Sequence, residues 1–221
     1  MTAPRRGSTS LAAFQREWRA LKGTSYEPAE VLHEVPLVVL FGPRQARRLF
    51  LVTKQALLSR IYEEALAFPP HWAIVQRQGL PSQMHVEEVG ALSRRLQLPL
   101  HFIGDLAPFD LHVFLEYHRL ARTRATRPTW RGISGRWLQL CRKLVGPEPF
   151  DVSIAQDMSP VERRHFAALQ ASAPWLEGAL GSGPWNLLRA GKKLPLEAAS
   201  GAGFYGDGFH RRLVRLLDAS P

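Results

Sequence analysis

The chain of 221 residues is 45% hydrophobic, and its 29 Lys and Arg residues against 19 Asp and Glu give a net charge of +10. This length suits one large domain, or one domain with an appended subdomain, and the apolar fraction suffices for a sizeable core. The charge favours a polyanion or an acidic protein as partner, although a basic surface without such a partner is the alternative. The single cysteine, Cys141, excludes an intrachain disulfide. Since the chain has no run of about 20 apolar residues and starts without an apolar signal region, we expect a cytoplasmic protein with no membrane contact.

Apolar runs alternate with amphipathic segments over the first half of the chain. Residues 1–34 predict an N-terminal helix, capped by Ser10 and ended by Gly23, and then a linker. Continuous apolar runs indicate buried strands at 35–41, 48–53, 71–76 and 98–104. Helical periodicity predicts helices at 54–68, 82–97 and 110–121. Strands that alternate with helices of this length predict an α/β fold with a parallel sheet flanked by helices.

The character of the sequence changes at about residue 122. We expect an α/β core over 35–121 and a basic, mainly helical C-terminal region over 122–221, because strand signals become rare there. Ser159-Pro160-Val161-Glu162 has the pattern of a capping box with proline at the first helical position. Pro174-Trp175 and Pro184-Trp185 are typical of the starts of short helices, and Asp207 is a candidate cap for a last one.

Short motifs follow the predicted strands. Thr53, Gly79 and Asp105 each come at or just after a strand end, and the carboxyl ends of parallel strands meet at one edge of a sheet. We therefore expect these three residues at the same edge. The motifs, in chain order, are Val52-Thr53-Lys54, Gln78-Gly79-Leu80-Pro81, Asp105-Leu106-Ala107-Pro108-Phe109-Asp110, Thr129-Trp130-Arg131-Gly132-Ile133 and Lys193-Leu194-Pro195-Leu196-Glu197-Ala198.

In this order the motifs resemble the toprim domain and C-terminal region of the topoisomerase VI A subunit and its relatives, the meiotic double-strand-break transesterases. The resemblance spans roughly residues 35–200. It implies a toprim-like, Rossmann-like sheet. It also implies a magnesium site at the strand ends, made by a Glu after one strand and by two Asp residues of an Asp-x-Asp-Pro motif after another. The cleaving tyrosine of that family lies in a winged-helix domain ahead of the toprim region.

The departures from the family pattern fall on its chemistry. Thr53 stands at the Glu position and Ala107 at the second Asp position, so Asp105 alone remains of the three carboxylates. Pro195 also replaces a Glu in the later segment. Magnesium is usually held by more than one carboxylate, and we expect Asp105 to be at most a weak, residual ligand. The segment before residue 35 is too short for the winged-helix domain, and nothing marks Tyr26 as a nucleophile.

Two further acidic groups could rebuild such a site. Asp110 lies one helical turn beyond Ala107, but a helix N-cap is its more ordinary role. Glu87 and Glu88 lie within a predicted helix and are more simply solvated. A magnesium-dependent DNA nuclease or strand transferase that uses Asp105 and Asp110 therefore stays as the alternative.

Other patterns of catalytic or metal-binding residues are missing from the sequence. His112 and His118 are six positions apart, which does not place both on one helix face, and there is no Cys-rich pattern for zinc. There is no G-x-S-x-G elbow, and GPRQARRLF lacks the ending of a phosphate-binding loop.

The strongest binding signal is the segment 120–143, which has no acidic residue. Arginine suits phosphates, while Trp130 and Trp137 either stack on bases or anchor the core. The alternative is a solvated basic linker. Basic clusters at 44–48 and 189–193 could extend the surface. The candidate DNA-binding residues are Arg122, Arg124, Arg127, Arg131, Arg136, Arg142, Lys143 and Lys193.

Together these features predict a catalytically degenerate toprim-fold protein, without a cofactor, that binds duplex DNA or acts as a scaffold subunit of a DNA-processing complex. The resemblance implies either a homodimer or pairing with a topoisomerase VI B-like ATPase or a winged-helix partner.

Overall fold

The computed structural model describes residues 38–41, 45–54, 71–76, 79–145 and 155–196, together with Leu217. The predicted N-terminal helix and linker, the predicted helix at 54–68 and the predicted last helix fall almost entirely outside these residues. For residues 38–41 and 141–145 the backbone alone is described, so the side chains of Arg142 and Lys143 are also outside.

A five-stranded sheet forms the centre of the described structure, with the strand order β1-β3-β2-β4-β5. Strands β2, β3, β4 and β5 run parallel, which confirms the predicted direction for the first three, while β5 was not predicted. The strands are β1 Val38–Phe41, β2 Arg48–Val52, β3 Trp72–Gln76, β4 Leu100–Ile103 and β5 Thr129–Trp130.

The direction of β1 differs from the predicted all-parallel sheet, because β1 pairs with β3 in antiparallel fashion. The segment 42–47 between β1 and β2 is too short for a parallel connection, which needs a crossover of about a dozen residues or more. The prediction was wrong here because apolar content marks a buried strand without marking its direction.

The interior of the sheet explains the continuous apolar runs. Neighbouring residues of a strand point to opposite faces, and Leu49 and Phe50 in β2 are both buried, as are Ala73 and Ile74 in β3. Burial on both faces removes the alternation of polar and apolar residues that a half-exposed strand would show. These runs therefore form the centre of the core, which residues outside the strands complete.

Helices α1, Gln83–Leu96, and α2, Pro108–Leu120, are the described helices between the strands. The Ser82 side chain caps α1 by accepting a hydrogen bond from the His85 amide, and Gln97 ends it in the left-handed conformation, with φ 54°. Helix α2 connects β4 to β5 and packs on the sheet, where Phe114 contacts the rings of Phe102 and Trp130. Both helices lie within a few residues of their predicted positions.

Short helices and a small sheet make up the described part of 122–196. After a 3-10 turn at Arg124–Thr126 come α3 Gly135–Val145, α4 Pro160–Ser172, α5 Leu176–Leu180 and α6 Ser182–Arg189. The predicted capping box at Ser159 is confirmed, with both of its reciprocal hydrogen bonds present. Strands β6, Gln156–Asp157, and β7, Lys192–Lys193, pair in antiparallel fashion.

Contacts connect this region to the sheet across the predicted boundary at 121/122. Strand β5 lies beyond that boundary and pairs with β4. Leu106 and Leu194 exchange two backbone hydrogen bonds of 2.9 Å, which bring the segment after β7 to the end of β4. Among the described residues no helix is long and apolar enough to cross a membrane.

Candidate functional site

The carboxyl ends of β2 and β4 bring Thr53 and Asp105 together through a third residue, Asp110. The Thr53 hydroxyl donates to Oδ1 of Asp110 at 3.2 Å, and the Asp105 backbone amide donates to Oδ2 at 2.6 Å. Gly79 follows β3, whose carboxyl end lies at the same edge because β3 is parallel to β2. Its φ of 77° is one that glycine adopts without strain.

Asp105 binds a side-chain cation supplied by the chain itself. The Lys54 ammonium lies 3.3 Å from Oδ1 and 3.1 Å from Oδ2 of Asp105. The backbone amide of Leu196 donates a further hydrogen bond of 2.7 Å to Oδ1. Lys54 and Asp105 are both about one-quarter exposed, so the pair is partly shielded from water.

Asp110 is not the N-cap of α2, so that expectation was wrong. The N-cap residue is Ala107, which offers no side-chain hydrogen bond, and Asp110 lies in the first turn. There the Asp110 side chain reaches back to the Asp105 amide, two residues before the cap. The side chain is 8% exposed, and burial together with the negative charge of Asp105 raises the pKa of Asp110 to about 7. Near neutral pH Asp110 is therefore shared between its protonated and ionised forms.

Two glycines allow this close packing. A Cβ on Gly104 would lie 2.7 Å from the Phe102 ring and 3.0 Å from Oδ2 of Asp110. A Cβ on Gly132 would collide with the Gly104 carbonyl oxygen and lie 2.7 Å from the Trp130 indole. Packing at the end of β4 therefore requires the glycine of the Trp-Arg-Gly turn.

The residues at this edge do not fit a magnesium ion. Both oxygens of Asp105 accept hydrogen bonds from the Lys54 ammonium, and Oδ1 also accepts from the Leu196 amide. Each oxygen of Asp110 accepts a hydrogen bond from the protein as well. Ala107 brings no carboxylate. Magnesium prefers an octahedral set of oxygen ligands, and a fixed ammonium next to the remaining carboxylate opposes a second cation. Among the described residues there is no group of three or more His, Cys, Asp or Glu side chains arranged to hold a metal.

Lys54 is the residue that sequence reasoning missed at this site. It stands directly after Thr53, and its partner Asp105 is 51 positions away. The sequence did contain a signal for this role. With Thr53 and Ala107 in place of two acids, Asp105 is the remaining acid of the family's three, and Lys54, next to Thr53, is the nearest candidate counter-ion for it.

The candidate DNA-binding residues separate into paired and unpaired side chains. Arg122 forms a 2.7 Å ion pair with Glu87, and Lys193 forms a 2.7 Å ion pair with Glu162. Glu87 is thus an ion-pair partner on α1. Arg131 is half-buried, and its Nε donates to Nδ1 of His101 at 3.3 Å.

Three candidate arginines are exposed and form no ion pair within the described part of the chain. These are Arg124, Arg127 and Arg136. Burial and, to a smaller extent, the charge of Arg127 lower the pKa of His118. Burial and, to a smaller extent, the charges of Arg136 and Arg48 lower the pKa of Arg131.

The two tryptophans of the basic segment are core residues and do not present their rings for base stacking. Trp130 is 9% exposed and lies against Phe102, with ring centres 5.5 Å apart. Trp137 is 2% exposed. Of the two roles expected for these residues, the structure supports the core anchor.

A buried histidine pair connects α2 to α4. Nε2 of His165 lies 2.9 Å from Nδ1 of His112, and Nε2 of His112 lies 3.8 Å from a carboxylate oxygen of Glu116. Arg119 binds Glu116 from the surface at 2.8 Å. Comparison of His112 with His118 could not reveal this pair, because the partner of His112 is 53 positions away on another helix. His118 instead contacts the Trp175 ring, with ring centres 4.6 Å apart.

No known family model matches the chain, and no curated protein sequence matches it significantly.

Proposed function

We propose that this chain is a catalytically degenerate toprim-fold protein, related to the topoisomerase VI A subunit, which binds duplex DNA as a scaffold subunit of a DNA-processing complex. The proposal combines the motif order along 52–198 with an α/β sheet that has four parallel strands.

The contact between Lys54 and Asp105 is the observation that carries the loss of catalysis. In the family that the motifs resemble, this edge of the sheet holds magnesium. Here an ammonium supplies the positive charge that balances Asp105, at 3.1 and 3.3 Å from its oxygens. Unlike a metal ion, the ammonium of a lysine has no open coordination position that could bind a reacting group.

Binding to DNA is supported by the distribution of charge. The chain carries a net charge of +10, and Arg124, Arg127 and Arg136 are exposed without an ion pair among the described residues. Arginine binds phosphate oxygens through two parallel hydrogen bonds, and contacts of this kind supply affinity that does not depend on base sequence. The expected complex is therefore sequence-tolerant and sensitive to salt.

The proposed partners follow from the same relationship. We place the protein in the cytoplasm, as a homodimer or paired with a topoisomerase VI B-like ATPase or a winged-helix protein.

Fluorescence anisotropy with a labelled duplex, at several salt concentrations, tests the binding proposal. We expect binding at low salt, with the logarithm of the association constant falling linearly with the logarithm of salt concentration. Absence of duplex binding at low salt would rule out the DNA proposal and leave an acidic protein as the partner.

The alternative is a magnesium-dependent nuclease or strand transferase built on Asp105 and Asp110. The specific observation in its favour is that these two acids lie close enough for the charge of Asp105 to raise the pKa of Asp110. Plasmid cleavage with magnesium or manganese, comparing the wild type with Asp105→Ala, separates the two functions. We expect intact plasmid in both cases, whereas cleavage that Asp105→Ala abolishes would establish the enzyme.

A further inference from the structure

A cavity of about 350 Å³ lies between the start of α3 and the α5–α6 junction. One wall consists of Thr129, Arg131, Ser134, Arg136 and Trp137, at the end of β5 and the first turn of α3. The opposite wall is the segment 178–181. Gly181 has a φ of 84°, and a Cβ there would lie 3.4 Å from the Gly135 nitrogen, so the two walls approach each other closely through their glycines.

The cavity is positively charged. Arg131 and Arg136 both line it, and none of its described lining residues is acidic. Burial and the charges of Arg136 and Arg48 lower the pKa of Arg131, which reflects repulsion among these guanidinium groups. An anion between Arg131 and Arg136 would relieve that repulsion.

Trp137, one of the residues that line the cavity, has a buried hydrogen-bond donor without a partner among the described residues. The Trp137 side chain is 2% exposed, and its indole Nε1–H finds no acceptor among the described residues. A buried donor left unpaired costs about 1–3 kcal/mol, and nearly all such groups in proteins are paired. An acceptor atom of a ligand in the cavity would satisfy it.

The start of α3 adds further donors. Ser134 caps this helix, since its hydroxyl oxygen accepts from the Trp137 amide at 3.1 Å. There is no acidic residue in the first turn of α3 to balance the positive end of the helix. Backbone amides at such a helix start are a common site for phosphate groups.

From these observations we propose that the cavity binds a phosphomonoester carried by a group no larger than a mononucleotide. Arg131 and Arg136 bind the phosphate oxygens, and the Trp137 indole donates a hydrogen bond to the ligand. The volume is near the lower end of the range for small-molecule pockets, about 300–1,000 Å³, and far exceeds the roughly 30 Å³ that one water occupies. The phosphomonoester could belong to a free nucleotide or to the 5′ end of a DNA strand.

Isothermal titration calorimetry with adenosine 5′-monophosphate tests this site without any duplex, so the outcome is independent of the proposed function. Two further ligands are titrated as controls: adenosine, which lacks the phosphate, and inorganic phosphate, which lacks the nucleoside. We expect the monophosphate to bind most tightly, inorganic phosphate more weakly and adenosine not at all. Binding of adenosine as tight as that of the monophosphate, or no binding of the monophosphate, would overturn the proposal.

Three variants locate the site. Arg136→Gln removes one charge and is expected to weaken binding of the monophosphate by about tenfold, because hydrogen bonds to charged groups are among the stronger ones. Trp137→Phe keeps an aromatic ring, removes only the unpaired N–H and is expected to weaken binding severalfold. Arg124→Gln, an exposed arginine that does not line the cavity, is the matched control and should bind like the wild type. Equal affinity of all three variants would contradict the assignment, provided that urea unfolding shows each to be folded.

The two sources of the phosphomonoester are distinguished with short duplexes that carry either a 5′-phosphate or a 5′-hydroxyl. A preference for the phosphorylated end that Trp137→Phe abolishes supports a DNA terminus as the ligand. Equal binding of both duplexes, with the monophosphate still bound, supports a free nucleotide.

Discussion

The Lys54 ammonium contacts both oxygens of Asp105, and Asp110 is bound to the Asp105 amide within the same network. The positive charge of Lys54 therefore acts on two carboxyl groups. It balances Asp105 directly, and it opposes the rise in the pKa of Asp110 that burial and Asp105 cause. The role that a metal would have at this edge, compensation of clustered negative charge, is thus performed by one residue of the chain.

Replacing Lys54 by methionine should destabilise the protein by about 1–3 kcal/mol at pH 8, because partly buried carboxylates lose their counter-ion. The loss should be smaller at pH 5. Asp110 has a pKa of about 7 in the folded protein, against 3.8 ordinarily, so at pH 5 it is protonated and repels Asp105 less. Urea unfolding at the two pH values measures the difference.

Lys192→Met is the matched control, since it breaks an exposed 3.0 Å ion pair with Asp157. Exposed pairs contribute little, and this change is expected to cost at most about 1 kcal/mol. Equal destabilisation by Lys54→Met at pH 5 and pH 8 would contradict the coupling with Asp110.

His165 also makes the stability of the protein depend on pH. Burial and the neighbouring His112 lower the pKa of His165 to about 3, against 6.5 ordinarily. Between pH 3 and pH 6.5 the unfolded chain therefore binds a proton at this residue that the folded protein does not bind. Stability contributed through this residue is complete above pH 6.5 and decreases as the pH falls towards 3.

We expect His165→Leu to cost about 1–3 kcal/mol at pH 8, because His112 loses a buried hydrogen-bond partner. The cost should shrink or vanish at pH 4.5, where the wild type alone carries the penalty of a neutral buried histidine. Urea unfolding at both pH values measures this, and a cost that grows on acidification would contradict the argument.

At the scale of elements, Gly132 joins the turn after β5 to the turn after β4. Its missing side chain leaves room for the Gly104 carbonyl and for the Trp130 indole. Overpacking a dense site typically costs about 1–3 kcal/mol, and we expect at least that loss for Gly132→Ala in urea unfolding. Gly183→Ala is the control, because a Cβ there has no neighbour within 4 Å. A fully stable Gly132→Ala protein would show that the close approach has no energetic importance.

The elements themselves could largely be predicted from sequence, because local patterns determine them. Continuous apolar runs identified β2, β3 and β4, and the Ser159-to-Glu162 spacing identified the start of α4. The antiparallel direction of β1 was missed because its composition does not mark a direction, although the short segment 42–47 already argues against a parallel connection.

The sequence predicted only part of the candidate site, because many of its contacts join residues that are far apart in the chain. Strand ends and motif order indicated that Thr53 and Asp105 belong to one edge. The bonds from Lys54 and Leu196 to Asp105 bridge 51 and 91 positions, and no local pattern marks such pairs. The burial of Trp130 and Trp137 likewise depends on neighbours that composition does not reveal.

For the whole molecule, the net charge of +10 means that basic residues outnumber acidic ones by ten, and Arg124, Arg127 and Arg136 are exposed without an ion pair among the described residues. If Arg124, Arg127 and Arg136 each contact one phosphate, replacing all three by glutamine should make the salt dependence of duplex binding shallower by about 2.7 in the log–log slope. Fluorescence anisotropy at four or more salt concentrations provides that slope.

The double variant Arg122→Gln, Lys193→Gln is the control, because both side chains are paired with glutamates. It should leave the slope nearly unchanged. A larger effect from the paired residues than from the three exposed arginines would contradict the proposed DNA-binding surface.

In the proposed function, the Lys54 ammonium takes the place of a metal ion at Asp105. Electron paramagnetic resonance with Mn²⁺ in the millimolar range tests this, by comparing bound ion in the wild type and in Asp105→Asn. We expect the same spectrum of unbound ion for both proteins. A bound Mn²⁺ signal in the wild type that Asp105→Asn removes would contradict it.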